Sequence, residues 1–305
     1  MKNKLGPLFQ KQPLLTLKLF DTLIKPILLY CSDFWGILKL PRNNPIEIVQ
    51  NSVYKQILGV QKQTTTIGVL MELGQYPLSL YAKQAAIKNW IRISKLKKAN
   101  ELVHKSFSFA VSQNYEWPNR VLDYLSQMGM ADTYNKNVTM SYIHTIFKRM
   151  CDIYQQNSFA EIQKEESKLR TYSIIKTTYG FENYLNDVKK LVDRINLTKL
   201  RLSNHVLNIE KGRHNKIHKN LRFCPFCKTV VEDEIHTTID CKTYKHLREG
   251  LYRSLGINEV YLQHIENRKK FTLIFSQPSN NSISKYVSKI FELRTFLINN
   301  HKNLS

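Results

Sequence analysis

A chain of 305 residues, 42% hydrophobic and 11% aromatic, can bury one large core or two modest ones, which excludes a disordered tail. Its 46 Lys and Arg against 24 Asp and Glu leave a formal charge of +22, more than surface ion pairing absorbs, so an acidic partner is expected. Nucleic acid, with one phosphate charge per ~1.7 Å of duplex, ranks ahead of an anionic membrane surface.

The Leu- and Ile-rich run "PLLTLKLFDTLIKPILLYCSDFWGIL" is broken by Lys18, Asp21 and Lys25, too often for a spanning helix of about 20 apolar residues or a secretory signal. No membrane partner is expected. Leu17, Phe20, Ile24 and Ile27 recur at helical spacing opposite Lys18, Asp21, Thr22 and Lys25, which predicts an amphipathic helix over residues 14–28, kinked at Pro26. Pro45 ahead of Ile46, Val49, Val53 and Ile57, with Gly59 behind, predicts a second helix. Residues 61–77 contain Thr and Gly and read as a connector. Leu78, Ala82, Ala85, Ala86, Trp90, Ile93 and Leu96 predict a third helix ending in the basic "KLKK". Ile143, Ile146, Phe147, Met150, Cys151 and Tyr154 predict a fourth, and Tyr184, Val188, Leu191 and Ile195 a fifth. "SQPSNNSIS" reads as a loop before a last helix that carries Val287, Ile290, Phe291 and Leu297. Cys31 and Cys151 read as small apolar core residues. An odd total of five cysteines argues against a closed disulfide framework and for an intracellular setting.

The other three cysteines lie in "RFCPFCKTVVEDEIHTTIDCKTY", Arg222 to Tyr244, with spacing C-x2-C-x8-H-x4-C. Zinc takes thiolate and imidazole ligands in a tetrahedron, and a Cys-x-x-Cys turn can place two sulfurs on one metal while a distant pair closes the site. Cys224, Cys227, His236 and Cys241 fit that pattern as a structural zinc site with no position left for water. Three alternatives stand beside it. Cys224 and Cys227 could be a redox pair, although nothing alternates as βαβ here; the cysteines could be unrelated core residues; and His214, His218 or His246 could replace His236 as a ligand.

Upstream of this motif, residues 194–222 hold Arg194, Lys199, Arg201, His205, Lys211, Arg213, Lys216, Lys219 and Arg222 against Glu210 alone. This is a phosphate-binding candidate, with a solvated basic face as the alternative. Arg201 and His205 are expected on one helix face, and Lys211-Gly212-Arg213 at a turn. The acidic Glu232, Asp233 and Glu234 are expected to point away from phosphate and could hold the basic segment by ion pairs.

"LFDTLIKPILLYCSDFWG" (Leu19 to Gly36), "IEIVQNSVYKQILGV" (Ile46 to Val60), "ELGQYPLSL" (Glu72 to Leu80), "LRTYSIIKTTYGFENYL" (Leu169 to Leu185), "LRLSNHVLNIEKGRHNK" and "RFCPFCKTVVEDEIHTTIDCKTYKHLR" together resemble the C-terminal part of LINE-type, non-LTR retrotransposon reverse transcriptases. The resemblance implies a helical thumb that follows the polymerase palm, and a C-terminal Cys-Cys-His-Cys zinc knuckle that helps bind RNA or target DNA. It implies the ligands Cys224, Cys227, His236 and Cys241. The family's palm carries a Tyr or Phe-x-Asp-Asp signature, whereas this sequence has no Asp-Asp pair; "MADTY" at Met130 to Tyr134 is only superficially similar. The chain by itself is therefore expected not to polymerise, nor to carry the family's endonuclease domain. The expectation is a mainly α protein: a thumb-like helical region and helical linker over 1–164, then a helical region over 165–305 with the zinc knuckle at about 222–244. Its expected activity is zinc-dependent, largely sequence-nonspecific RNA or DNA binding in the nucleus or a cytoplasmic ribonucleoprotein. A palm supplied in trans is a further conceivable partner, and a non-catalytic protein-interaction relic folded around zinc is the alternative.

Overall fold

Proline and glycine punctuate the helices as their chemistry dictates. Helix Pro45–Leu58 begins on the residue that lacks an N–H and ends at Gly59, whose φ of +66° a side chain would strain. The computed structural model describes residues 6–41, 44–95, 101–135, 139–278 and 280–303. Among these the chain is mainly α, as expected, and β pairing is confined to two isolated antiparallel bridges, Leu73 with Phe181 and Phe223 with Val231. No helix among them is long and apolar enough to cross a membrane.

Two compact units divide the chain. One comprises Leu17–Val53 and Gln75–Ala160. Its core gathers Ile87, Trp90 and Ile91 from helix Leu78–Lys95, Val121 and Leu125 from Glu116–Gln127, and Ile146, Met150 and Cys151 from Tyr142–Gln163. Trp90 stacks on Tyr134 with ring centroids 5.3 Å apart. Gly36 lies so close to helix Leu78–Lys95 that a Cβ there would stand 2.1 Å from the Ala82 carbonyl oxygen. The other unit comprises Met1–Thr16, Tyr54–Gly74 and Glu161–Ser305. Here the C-terminal helix Asn280–Asn303 packs along helix Leu191–Arg201, with Ile283, Val287 and Ile290 buried.

This differs from a simple division at residue 164, because residues 54–74 are built into the C-terminal unit. The reason is Glu72. Residues 61–77 are no plain connector but contain helix Thr66–Leu73, buried from Gly68 onward and apolar on every side, so it lacks the one-sided stripe that announces a surface helix. Within it the Glu72 carboxylate accepts from Arg201 Nε at 2.6 Å and from the Tyr184 hydroxyl at 2.6 Å. Arg201 also pairs with Glu182 at 2.8 Å.

Other expectations change in detail. The N-terminal helix runs as Pro13–Leu19, a π turn Phe20–Ile24, then Lys25–Leu28; the wider turn accommodates Pro26, which cannot donate and whose ring crowds the preceding turn. Leu17 and Phe20 are buried, whereas Ile24 and Ile27 are exposed, so only half the expected stripe is core. The stretch from Tyr184 to Ile195 is two helices, Tyr184–Asp187 and Leu191–Arg201, separated at the extended Val188. Helix Asn280–Asn303 starts inside the expected loop. Cys151 is buried in the core as expected, but Cys31 is exposed, with a left-handed φ of 54° at the start of helix Ser32–Trp35. Leu96 and most of "KLKK" lie outside the described residues.

Candidate metal centre

The Cys-x-x-Cys segment turns back on itself. Phe223 bridges Val231, Cys224 N donates to Val230 O at 2.7 Å, and Lys228 N donates to Cys224 O at 2.9 Å. Lys228 closes this turn at a φ of 60°, a left-handed conformation that costs a residue with a Cβ. The second pair sits on a π turn, His236–Asp240, in which Cys241 N donates back to His236 O at 2.7 Å. One wide turn thus spans the four residues between His236 and Cys241.

Both pairs converge. One ligand atom from each of Cys224, Cys227, His236 and Cys241 lies within 4.8 Å of the others, so the group could hold a metal ion. The Cys241 sulfur is 3.6 Å from that of Cys227 and 4.0 Å from that of Cys224. These are far from the ~2.05 Å of a disulfide. They straddle the ~3.8 Å edge of a tetrahedron built on metal–sulfur bonds of ~2.3 Å. Neither ring nitrogen of the buried His236 has a hydrogen-bond partner in the chain, although Asp240 Oδ2 stands 3.5 Å from Nδ1. The sulfurs also disturb one another: the hydrogen bond with Cys241 and burial push Cys224 up to about 12, while that bond holds Cys241 below its ordinary value. A cation that takes all three as thiolates removes this conflict, so the donor set fits a metal. His214, His218 and His246, the alternative ligands, are exposed and outside the group.

The acidic triplet is what fastens this cluster to its unit. Glu232 and Glu234 are buried, and each meets an arginine from another element. Glu232 accepts from Arg294 Nε and from Arg294 Nη2, both at 2.7 Å, and its side chain accepts from Asn208 N at 2.6 Å. Asp233 caps the turn that carries the ligand, accepting from His236 N at 2.7 Å. Glu234 accepts from Arg170 at 2.7 and 2.8 Å and pairs with His205 Nε2 at 2.8 Å. Burial alone would raise Glu234, but the His205 bond and the nearby positive charges hold it down at about 2. Arg248 donates to the Cys241 carbonyl at 3.2 Å.

These contacts re-sort the expected phosphate-binding residues. Three are corrected because they are buried in structural roles. Arg194 donates to the Leu185 carbonyl at 2.9 Å and to the Gln10 carbonyl, Arg201 is consumed by Glu72 and Glu182, and His205 is held by Glu234. Arg201 and His205 do not share a helix face, since helix Leu191–Arg201 ends at Arg201. Arg222 is half-buried and donates to the carbonyls of Ile217 and Ile209. Lys211-Gly212-Arg213 lies within helix Asn208–His214 and not at a turn. Gly212 is needed there because a Cβ would stand 2.6 Å from Arg222 Cγ. Lys211, Arg213, Lys216 and Lys219 remain exposed and Lys199 half-exposed, with Arg213 paired to Glu210 at 2.9 Å.

Sequence reasoning missed Arg170 and Arg294, whose only signal was that two glutamates beside a ligand needed partners, and Arg248, which meets backbone carbonyls and had no signal. The expected role of the triplet was close, but two of the three groups it holds come from outside residues 194–222. No family model, no curated protein and no solved structure matches this chain.

Proposed function

We propose that the chain binds RNA or DNA through the half-exposed Lys199 and the exposed Lys211, Arg213, Lys216 and Lys219 of a unit stapled by zinc, with little sequence preference. Three soft thiolates and an imidazole in a closed tetrahedral set favour zinc and leave no vacant position, so the metal's role is structural. One observation carries the reading: the metal cluster and the basic helix are joined through Glu232. Glu232 accepts from Asn208 N through its side chain and from Ile209 N through its carbonyl, at 2.6 and 3.0 Å, which orients helix Asn208–His214 and its Lys211 and Arg213 from the knuckle. On this view the chain is a piece of the LINE-type reverse transcriptase that its motifs resemble, acting in the nucleus or a cytoplasmic ribonucleoprotein without polymerising by itself. A palm supplied in trans would be its polymerising partner.

Fluorescence anisotropy with a labelled RNA hairpin and a DNA duplex over a salt series tests this. About three to four phosphate contacts give a log–log salt slope near −3, and Lys216→Glu with Lys219→Glu reduces its magnitude by roughly 2 units, to about −1. A slope near zero, or one unchanged by the double substitution, would refute the reading. The second reading, protein interaction, draws on the exposed Leu19, Leu23 and Ile27 of the N-terminal helical segment. It predicts that Leu23→Lys abolishes a partner complex while the salt slope stays near zero.

A further inference from the structure

A cavity of 540 Å³ in the metal-bearing unit is lined by basic residues that include Lys168, Lys199, Lys211 and His214, and by apolar residues that include Phe291 and Ile298. Pockets of ~300–1,000 Å³ suit small ligands, and the lining here combines cations, neutral polar groups and an apolar surface. Among the described residues neither Lys199 nor Lys211 forms an ion pair, so both ammoniums are free for an anion. The one carboxylate in the lining, Glu210, is already committed to Arg170 at 3.1 Å and Arg213 at 2.9 Å. Lys168 stands 3.8 Å from the same carboxylate. Burial, with Arg213, Arg170 and Lys55 nearby, lowers Lys168 against the pull of Glu210, a conflict that an incoming phosphate relieves.

His205 lines the cavity through its backbone, because its imidazole is wholly buried, with Nε2 on Glu234 at 2.8 Å.

We propose that this cavity holds one nucleoside 5′-phosphate unit of the bound strand, its phosphate on Lys199 and Lys211 and its base against Phe291 and Ile298. The proposal rests on the nucleic-acid-binding reading above and adds to it a built site for a single nucleotide. An unstacked base in an apolar slot with its phosphate on lysines is the chemistry that single-stranded segments offer and duplexes withhold.

The test is calorimetric titration of the full zinc-loaded chain with adenosine 5′-monophosphate, adenosine and inorganic phosphate. Saturable binding of the nucleotide is expected, at least about tenfold tighter than either fragment. Lys199→Ala with Lys211→Ala weakens it about tenfold or more, through residues that are not part of the core. Val206→Trp, at an exposed lining position, blocks the cavity without disturbing the fold, as circular dichroism would verify. Absence of saturable nucleotide binding, or binding indifferent to both variants, overturns the proposal. Loss of nucleotide binding while oligonucleotide binding keeps its salt slope overturns the cavity and spares the wider reading. Nucleotide binding by a chain that fails to bind oligonucleotides supports the cavity and refutes the wider reading.

Discussion

The unit of Leu17–Val53 and Gln75–Ala160 buries Trp90, Ile87, Ile91, Leu125 and Ile146 against one another, whereas the unit that holds the metal cluster buries carboxylates and guanidiniums as well. Glu72, Glu232 and Glu234 are each essentially inaccessible, and each is met by an arginine. Apolar packing tolerates small changes of shape and loses stability in proportion to the volume removed. Buried ion pairs behave otherwise: the intact pair adds little net stability over an apolar replacement, but removal of one member strands a charge. The first unit should therefore respond to mutation gradually, and the second abruptly.

The largest effect expected is that of Cys241→Ser. Structural zinc contributes on the order of 10 kcal/mol to small domains, so the variant should lose its metal and its protection against hydrogen exchange around residues 222–244, while peptides from Gln75–Ala160 keep theirs. Equal loss in both units would erase the distinction drawn here. Arg201→Met comes next: it leaves Glu72 buried without its partner and should cost about 3–5 kcal/mol by urea denaturation, with Glu72→Gln in the same chain restoring much of the loss. Failure of the second substitution to rescue would show that the cost is one of packing and not of charge.

The same pair sets a pH dependence. Burial would raise Glu72, but Arg201, Lys176 and the Tyr184 hydroxyl hold it below its ordinary value of 4.5. Its contribution to stability is thus complete above the unfolded-state value and declines as the pH falls below it. In Arg201→Met the main opposing charge is gone and burial raises Glu72, so the sign reverses and stability falls as the pH rises. Urea midpoints between pH 4 and 7, compared for the two proteins, read this directly. Ile146→Val, in the apolar unit, should cost only about 1 kcal/mol and leave the metal content unchanged. Lys228→Gly should stabilise the knuckle turn by a few tenths of a kcal/mol to about 1, since glycine adopts the φ of 60° without strain; a destabilised variant would mean that the Lys228 side chain matters more than its backbone.

The contrast also explains what could be read from sequence. Periodicity found helices Leu78–Lys95 and Tyr142–Gln163 because each has an apolar face and a polar one. It missed Thr66–Leu73 because a helix buried all round has no such contrast, and its one charged residue, Glu72, makes sense only beside Arg201, which lies 129 positions away. Cysteine and histidine spacing picked out the four residues of the cluster, because a metal site imposes local geometry. Charge counting fared worse: Arg194, Arg201 and His205 look like their exposed neighbours in a basic run, and only tertiary partners show that they are buried. The left-handed Cys31 and the π turn at Phe20–Ile24 likewise come from local backbone demands that composition does not announce.

The central claim is that the metal cluster holds the basic helix in a form that binds nucleic acid. The measurement that tests it most directly is anisotropy of a labelled RNA hairpin against the purified chain at fixed low salt, before and after zinc is removed by a chelator and then restored, with zinc counted per chain in each sample. The account predicts one zinc per chain, loss of most binding on chelation and its recovery on restoration. Undiminished binding by a chain shown to be free of metal would contradict it.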